Sequence, residues 1–229
     1  MPKLQGRWAL VTGSSRGIGQ QIAIGLAGEG CNVIIHGRKT ENTEKTVELL
    51  KPFEIETAVT SGELDSDTGI RTVIDGVLAK INHIDILYNN AAIMNPWKEH
   101  WSIPLDDWHK TFQVNLFAVI KLCNCFIPRM LRRGWGRVIN VTSGIKDVPQ
   151  LSPYSVSKAA IDKYTLDLAA ELKGTNILVN TLDPGWLKTD LGGPDADHEV
   201  ETVLPGALVP ALLEDFGPSG KQYNAQDYK

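Results

Sequence analysis

The chain has 229 residues, 42% of them hydrophobic, which is enough to bury a full core in one domain spanning 1–229. A net charge of −4 and the lack of a basic stripe argue against nucleic-acid binding. Three scattered cysteines fit neither a disulfide framework nor a metal site, so a reduced setting and no bound metal are expected. With neither an apolar leader nor a run of 18 apolar residues, a cytoplasmic protein without membrane contact is expected.

Predicted strands and helices alternate along the chain. The strands are short and almost continuously apolar, at 8–12, 31–36, 53–60, 84–89, 137–142 and 177–182. The helices lie between them, at 17–29, 41–51, 68–81, 106–133 and 155–173. This alternation predicts an α/β fold of the Rossmann type: a doubly wound parallel sheet with helices on both faces, in a three-layer sandwich. A substrate loop is expected at about 186–212, followed by a closing element.

A glycine-rich turn, TGSSRGIG at 12–19, joins the first predicted strand to the first helix. Glycines allow a tight turn and let a pyrophosphate approach the backbone, while the helix N-terminus offers free amides. The spacing is TGxxxGxG rather than GxGxxG, so an ordinary strand–helix turn is the alternative. The predicted cofactor contacts in this turn are Gly13, Ser15, Arg16, Gly17, Ile18 and Gly19.

The end of the second predicted strand indicates which nicotinamide cofactor is preferred. An acidic residue there would hold the ribose 2′-hydroxyl of NAD and repel a 2′-phosphate. Here the sequence reads His36-Gly37-Arg38, with no acid before Glu41. Arg38, helped by Arg16, can meet a 2′-phosphate with a fork of donors. The sequence therefore predicts NADP(H) in preference to NAD(H), unless both arginines are ordinary surface residues.

Tyr154 and Lys158, in the sequence YSVSK, are four residues apart and share one face of a predicted helix. An ammonium held near a phenol lowers the pKa of the phenol toward the working pH. Tyr154 is therefore a candidate general acid or base. Alone, this pair is more often a plain helix face, but a nucleotide loop and Ser143 precede it. The Ser143 hydroxyl can hydrogen-bond a carbonyl oxygen as negative charge develops on it.

With these motifs in order, together with NNAA at 89–92, VNL around Asn115 and DPGWLKT at 183–189, the chain resembles the classical short-chain dehydrogenase/reductase family. The likeness runs from about 7 to 189 and is nearest to the compact carbonyl-reductase-like members. It implies that Lys158 binds the nicotinamide ribose and that Asn115 holds a water linking Lys158 to solvent. The catalytic residues it implies are Asn115, Ser143, Tyr154 and Lys158. The further cofactor contacts are Asn90, Ala91, Pro184, Gly185 and Thr189, with Glu63 a candidate at the adenine.

Substrate contacts are expected in the loops at the carboxyl ends of the strands. The candidates are mostly apolar and several are large: Met94, Trp97, Ile145, Val148, Gln150, Leu151 and Trp186. Loop packing is an equally good reading for any one of them. Such a lining suits an aliphatic or aromatic ketone or aldehyde better than a phosphorylated sugar.

Three functions remain open from the sequence. The first is an NADP(H)-dependent oxidoreductase that interconverts a carbonyl and an alcohol. The second is a reductase of 3-oxoacyl thioesters on a carrier protein, for which the arginines at 129–137 are the candidate docking patch. The third is a non-catalytic NADP(H) sensor, disfavoured because Tyr154 and Lys158 are both kept. A homodimer through the long helices and a monomer are equally compatible with the short C-terminal part.

Overall fold

Seven parallel strands form one sheet in the computed structural model, which describes residues 3–228. Their order across the sheet is β3-β2-β1-β4-β5-β6-β7, so the winding reverses between β1 and β4. The strands are β1 (Trp8–Val11), β2 (Asn32–Gly37), β3 (Thr57–Ser61), β4 (Ile86–Asn89), β5 (Gly136–Val141), β6 (Ile177–Asp183) and β7 (Gln222–Asn224). A reversal of this kind opens a crevice at the carboxyl ends of the strands.

Helices cover both faces of the sheet. They are α1 (Gly17–Gly28), α2 (Glu44–Leu50), α3 (Asp67–Leu78), α4 (Leu105–Phe112), α5 (Ala118–Arg133) and α6 (Ser152–Glu171). Alternate strand residues point to opposite faces, and two core clusters result. Val11 and Tyr88 pack with α1 on one face, whereas Leu10 and Leu87 pack with α5 on the other. The three-layer, doubly wound α/β fold predicted from the sequence is confirmed.

Most predicted bounds shift by one to three residues, and two differences are larger. The third strand begins at Thr57 and not at Phe53, because Phe53 lies in the turn after α2 and packs on the core from there. The helix predicted at 106–133 contains a π-helical turn, Gln113–Phe117, between α4 and α5. Insertions of this kind are rare in helices and frequent at functional sites.

The composite helix Leu105–Arg133 is, by length and composition alone, long and apolar enough to cross a membrane. Half of its apolar 18-residue stretch is buried inside the protein, and Leu122, Phe126 and Met130 belong to the core between the sheet and the helices. Core helices commonly pass such a test, so this one is weak evidence for a membrane span.

The chain after β6 crosses the molecule before it returns to the sheet. A single parallel bridge pairs Leu187 with His198, and two 3₁₀ helices follow at Val200–Val203 and Gly206–Ala211. A Cβ on Gly206 would lie 2.0 Å from the carbonyl oxygen of Ala225, so only glycine fits there. These helices pack on α1, and the predicted substrate loop therefore lies beside the glycine turn.

Arg137, at the start of β5, anchors the chain that follows these 3₁₀ helices. This anchor lies at the amino ends of the strands, opposite the crevice. Its side chain is fully buried, and its guanidinium donates to the carbonyl oxygens of Asn176 at 3.1 Å, Leu213 at 3.0 Å and Glu214 at 3.3 Å. Trp135 stacks on the guanidinium at 4.2 Å. A buried charge is tolerated because many acceptors surround it.

Candidate functional site

The glycine turn meets the end of β4 at the reversal point of the sheet. Gly13 and Gly17 have φ of +65° and +59°, a left-handed backbone that favours glycine. A Cβ on Gly19 would lie 2.5 Å from the Gly13 carbonyl oxygen and 2.6 Å from Asn90 Nδ2. The Arg16 side chain at the N-cap does not bond the first amides of α1 within the described residues. Those amides point at the space where a phosphate would lie.

Thr12 and Asn90 join the glycine turn to the NNAA segment. The Thr12 hydroxyl oxygen accepts the amide hydrogens of Asn90 and Ala91, each at 3.0 Å. Asn90 Nδ2 donates in return to the carbonyl oxygens of Thr12 at 2.9 Å and Gly13 at 3.3 Å. The side chain of Asn90 therefore shapes the turn from within, a role that the sequence motif alone does not reveal.

His36 lies at the strand end where an acid would indicate NAD binding. It is buried and joins the glycine turn to the segment after β3. Its Nδ1 accepts the Gly13 amide hydrogen at 3.0 Å, so its Nε2 carries the proton and donates to the Gly62 carbonyl oxygen at 3.1 Å. Burial lowers the pKa of His36 from 6.5 to about 4. The imidazole is therefore neutral near pH 7. Sequence reasoning missed this role because His36 looks like any strand residue.

The two predicted phosphate-binding arginines differ in their surroundings. Arg38 is exposed directly beyond β2, and no ion pair joins it to another residue in 3–228. Arg16 lies in the glycine turn, and its Nε is 2.9 Å from Oδ2 of Asp190, in the loop after β6. Glu63, the candidate at the adenine, is exposed just beyond β3.

Ser143, Tyr154 and Lys158 come together in the structure. Ser143 lies two residues beyond β5; its Oγ accepts the Ile145 amide hydrogen at 3.2 Å, and its hydroxyl is close enough to the Tyr154 phenol to lower the pKa of that phenol. Tyr154 is 9% exposed, and the ammonium of Lys158 lies 5.7 Å from the centroid of its ring. Lys158 Nζ donates to the Val141 carbonyl oxygen at 2.7 Å. The three side chains thus face one point at the carboxyl ends of β5 and β6.

The pKa of Tyr154 differs from the sequence expectation. Burial raises the pKa of Tyr154, the neighbouring Ser143 hydroxyl lowers it, and the nearby Asp183 raises it further, so the net result is a raised pKa. The expected lowering by Lys158 is wrong for the protein by itself, because the ammonium is engaged by Val141 and is itself desolvated. Burial lowers the pKa of Lys158 to about 8, against the opposing effect of Asp162 and Asp183.

Asn115 lies in the π-helical turn and is buried. Its Oδ1 accepts the Ile93 amide hydrogen and its Nδ2 donates to the Ile93 carbonyl oxygen, both at 2.9 Å. Nδ2 also donates to the Ser157 hydroxyl at 3.0 Å. Asn115 thus joins the loop after β4 to α6, one residue before Lys158. Its role in holding a water stays a prediction.

Asn95 is a further polar link that sequence reasoning missed. It is 5% exposed; its Oδ1 accepts the Tyr154 amide hydrogen at 3.3 Å, and its Nδ2 donates to the Gln150 carbonyl oxygen at 3.0 Å. It therefore ties the start of α6 to the loop after β4. No spacing in the sequence could have revealed it, because the bond crosses 59 positions of the chain.

The predicted substrate residues lie in the loops after β4, β5 and β6. Trp97 and Trp186 are 69% and 52% exposed, whereas Met94, Ile145 and Gln150 are half-buried. Trp186 Nε1 donates to the Gly192 carbonyl oxygen at 2.8 Å. A groove of about 940 Å³ does open along β3, but it contains none of these residues, and the hydrogen-bonded groups above define the candidate site instead.

Pro184, Gly185 and Thr189 occupy the turn that begins this last loop. The Gly185 amide donates to Asp183 Oδ1 at 3.0 Å, and its φ is +82°. A Cβ on Gly17 would meet Thr189 Cγ2 at 3.5 Å, so this turn packs on the glycine turn. The structure therefore gathers the predicted cofactor residues of β1, β4 and β6 at one edge.

A doubly wound parallel sheet with a glycine turn at its reversal point defines an α/β protein of the dinucleotide-binding class. The more particular assignment comes from comparison with known proteins. The short chain dehydrogenase family model matches residues 7–200, and the chain belongs to this family of oxidoreductases, which bind a nicotinamide cofactor.

Three known proteins illustrate the likeness. The 3-oxoacyl-[acyl-carrier-protein] reductase FabG of Aquifex aeolicus is 35% identical over 193 residues, which cover 82% of this chain and 77% of the relative. A putative short chain dehydrogenase from Pseudomonas syringae has a TM-score of 0.87 at 26% identity, covering 99% of this chain and 97% of the other. A 3-oxoacyl (acyl-carrier-protein) reductase from Agrobacterium tumefaciens with NADP bound has a TM-score of 0.81 at 28% identity, covering 96% and 93%.

The buried link of His36 predicts acid sensitivity. Its pKa is about 4 in the folded protein against 6.5 ordinarily, so the unfolded chain takes up the proton first as the pH falls. The contribution of neutral His36 to the free energy of unfolding is nearly full above about pH 6.5, and about 2 kcal/mol of it is lost by pH 4.5. Urea unfolding of His36→Gln, which keeps a donor and an acceptor without titrating, should show a shallower loss over that range. An equal loss in both proteins would rule out His36 as the source.

Proposed function

We propose that this protein is an NADP(H)-dependent oxidoreductase that interconverts a ketone or aldehyde and the corresponding alcohol. The observation that carries the proposal is that the Ser143 hydroxyl lies close enough to the Tyr154 phenol to lower its pKa, beside buried Lys158 and at the same end of the sheet as the glycine turn. A phenol and a hydroxyl that converge on one point can both bond a single carbonyl oxygen.

The cofactor, when bound, supplies or accepts the hydride at the carbonyl carbon. Tyr154 donates its proton to the carbonyl oxygen during reduction and takes it back during oxidation. Ser143 orients that oxygen and stabilises the negative charge that develops on it. Burial raises the pKa of Tyr154, so the phenol is protonated near pH 7 and ready as an acid. In the oxidation direction, a positive charge near the phenol would be needed to lower its pKa.

Lys158 serves the cofactor as well as the tyrosine in this proposal. Its Nζ is buried and donates to Val141, which leaves two further donors for ribose hydroxyls. Asp162 and Asp183 raise the pKa of Lys158 against the effect of burial and so favour its charged form. Asn115 and Asn95 fix the start of α6 and thereby the positions of the two reacting side chains.

The preference for NADP(H) is supported by exposed Arg38 beyond β2 and by the absence of an acid at that strand end in residues 3–228. His36 fills the place of such an acid and is neutral near pH 7. The similar reductase from Agrobacterium tumefaciens holds NADP. Arg38 is free to contact a 2′-phosphate, and Arg16 lies in the neighbouring glycine turn.

Reduction of 3-oxoacyl thioesters is a second candidate, favoured by the likeness to two reductases of that name. Its predicted docking patch at 129–137 is incomplete at the surface, although Arg132 and Arg133 are exposed. Arg137 is fully buried, and Arg133 lies 3.8 Å from Asp85 at the edge opposite the site. A free small carbonyl compound is therefore the better-supported substrate.

A homodimer through the long helices is proposed for the assembly. Large apolar side chains are exposed on α4, on the π-helical turn and on α5 and α6: Leu105, Phe117, Leu131, Val156 and Leu166. Positions 117, 121, 124, 128 and 131 recur at helical spacing and share one face. We place this assembly in the cytoplasm, acting on small molecules without nucleic acid, membrane or bound metal.

Removing the Tyr154 hydroxyl should abolish turnover and spare cofactor binding. In Tyr154→Phe, kcat for NADPH-dependent carbonyl reduction should fall about 10²- to 10⁴-fold because the proton donor is lost. NADPH consumption with ketones, aldehydes, diketones and acetoacetyl thioester measures this. Normal turnover in the variant would exclude Tyr154 as the acid, and a wild type that binds NADPH without any turnover would favour the sensor.

Removing Arg38 should weaken NADPH specifically. Arg38→Ala should raise the Kd for NADPH about ten-fold or more, because a charge-assisted hydrogen bond to phosphate is lost. The Kd for NADH should stay unchanged, as should both values in the neighbouring control Lys39→Ala. An equal loss for NADPH and NADH would contradict the assignment of Arg38 to the 2′-phosphate.

The dimer proposal predicts that a charge on the helix face dissociates the protein. Phe117 is 46% exposed, and Phe117→Lys should give a monomer in sedimentation velocity because the charge would be buried in the interface. Leu49→Lys on α2, where the side chain is 40% exposed, is the matched control and should remain dimeric. A wild-type monomer would refute the proposal directly.

A further inference from the structure

We propose that Asp190 competes with the cofactor's 2′-phosphate for Arg16, so that this phosphate loosens the loop after β6 from the glycine turn. The inference rests on the proposed function, since it requires that the 2′-phosphate reaches Arg16. It assigns to Asp190 a role in cofactor specificity that the family motifs leave open.

The ion pair is the first support. Arg16 Nε lies 2.9 Å from Asp190 Oδ2 and joins the glycine turn to the loop after β6. The two side chains are 64% and 73% exposed, so water already solvates much of each charge. Exposed pairs of this kind contribute little to stability and separate at low cost. Arg16 can therefore exchange one anion for another.

Asp190 is held in place by its own turn. Thr189 Oγ1 accepts the Gly192 amide hydrogen at 3.0 Å, and the Gly193 amide donates to the Thr189 carbonyl oxygen at 2.8 Å. A Cβ on Gly192 would lie 2.1 Å from the carbonyl oxygen of Leu187, so the turn is tightly closed. When Arg16 moves to another partner, the carboxylate of Asp190 stays behind with this turn.

The competition has a definite direction. A phosphate carries more negative charge than a carboxylate and binds a guanidinium with more acceptors. Asp190 occupies the Nε side of Arg16, so a phosphate that binds Arg16 there must first displace the carboxylate. NADH carries no 2′-phosphate and leaves the pair intact. Asp190 therefore reduces the preference for NADP(H) that the two arginines create.

The same exchange reaches the predicted substrate loop. Trp186 is bonded to Gly192 of the Asp190 turn, and Lys188 pairs with Glu199 farther along. Releasing Arg16 removes the ion pair between this loop and the glycine turn. Coupling between two ligands is reciprocal. If the 2′-phosphate weakens the binding of a ligand that draws the loop toward the glycine turn, that ligand weakens the binding of the 2′-phosphate by the same factor.

The test is Asp190→Asn, which keeps the size of the side chain and removes its charge. Titration with NADPH and with 2′,5′-ADP should give Kd values lower by about two- to five-fold, which is the strength of an exposed ion pair. The Kd for NADH should not change. Asp195→Asn, an exposed carboxylate of the same segment outside the ion pairs of residues 3–228, is the control for general charge and should leave all three Kd values unchanged.

A double variant separates competition from other effects. In an Arg16→Ala background, Asp190→Asn should no longer alter the Kd for 2′,5′-ADP, because the shared arginine is gone. An unchanged NADPH Kd in Asp190→Asn, or an equal change for NADH, overturns the competition while leaving the proposed function intact. A wild type that binds NADH and NADPH with equal affinity overturns the cofactor assignment itself, and the competition with it.

Discussion

The close approach of α1 to the end of β1 is the constraint on which the cofactor end of the protein depends. At Gly19 there is room only for a hydrogen, since a Cβ would enter the carbonyl oxygen of Gly13 and the amide of Asn90. With the helix seated this deeply, its first amides reach the reversal point of the sheet. Asn90 and His36 then fix the turn through its main-chain groups, from β4 and β2 respectively. The geometry proposed to bind phosphate is thus built from backbone and secured by two polar side chains.

The site around Tyr154 and Lys158, on the other side of the reversal point, is also held by polar side chains that bond main-chain groups. Asn115 and Asn95 bond main-chain groups of the loop after β4 and contact α6 at Ser157 and Tyr154. Buried amides of this kind cost free energy unless every bond is made, so they specify one arrangement of loop and helix. The π-helical turn brings Asn115 inward. Tyr154 and Lys158 consequently hold their positions before any ligand arrives.

The sequence predicts the fold well because burial on both faces leaves an unambiguous apolar pattern in the strands. It fails at Phe53, where an apolar residue packs from a turn, and at the π-helical turn, which has no periodic signature. The motifs predict which side chains meet at the site. They do not predict how these are charged: the raised pKa of Tyr154 comes from burial. Nor do they predict partners brought from afar, such as Asp190 for Arg16 or Asn95 for Tyr154.

The anchoring of the last part of the chain by Arg137 has a consequence for the diversity of the binding cleft. The segment after β6 is held at one end by the sheet and at the other by the buried guanidinium, at the opposite edge. Between these fixed points it is a closed loop, and doubling the length of such a loop costs only about 0.6 kcal/mol. Residues can be added or lost at the exposed positions of this stretch, such as Pro194 and Asp195, while both attachments stay in register. The rim of the cleft can therefore be remodelled without disturbing Ser143, Tyr154 and Lys158, the groups proposed to carry out the chemistry.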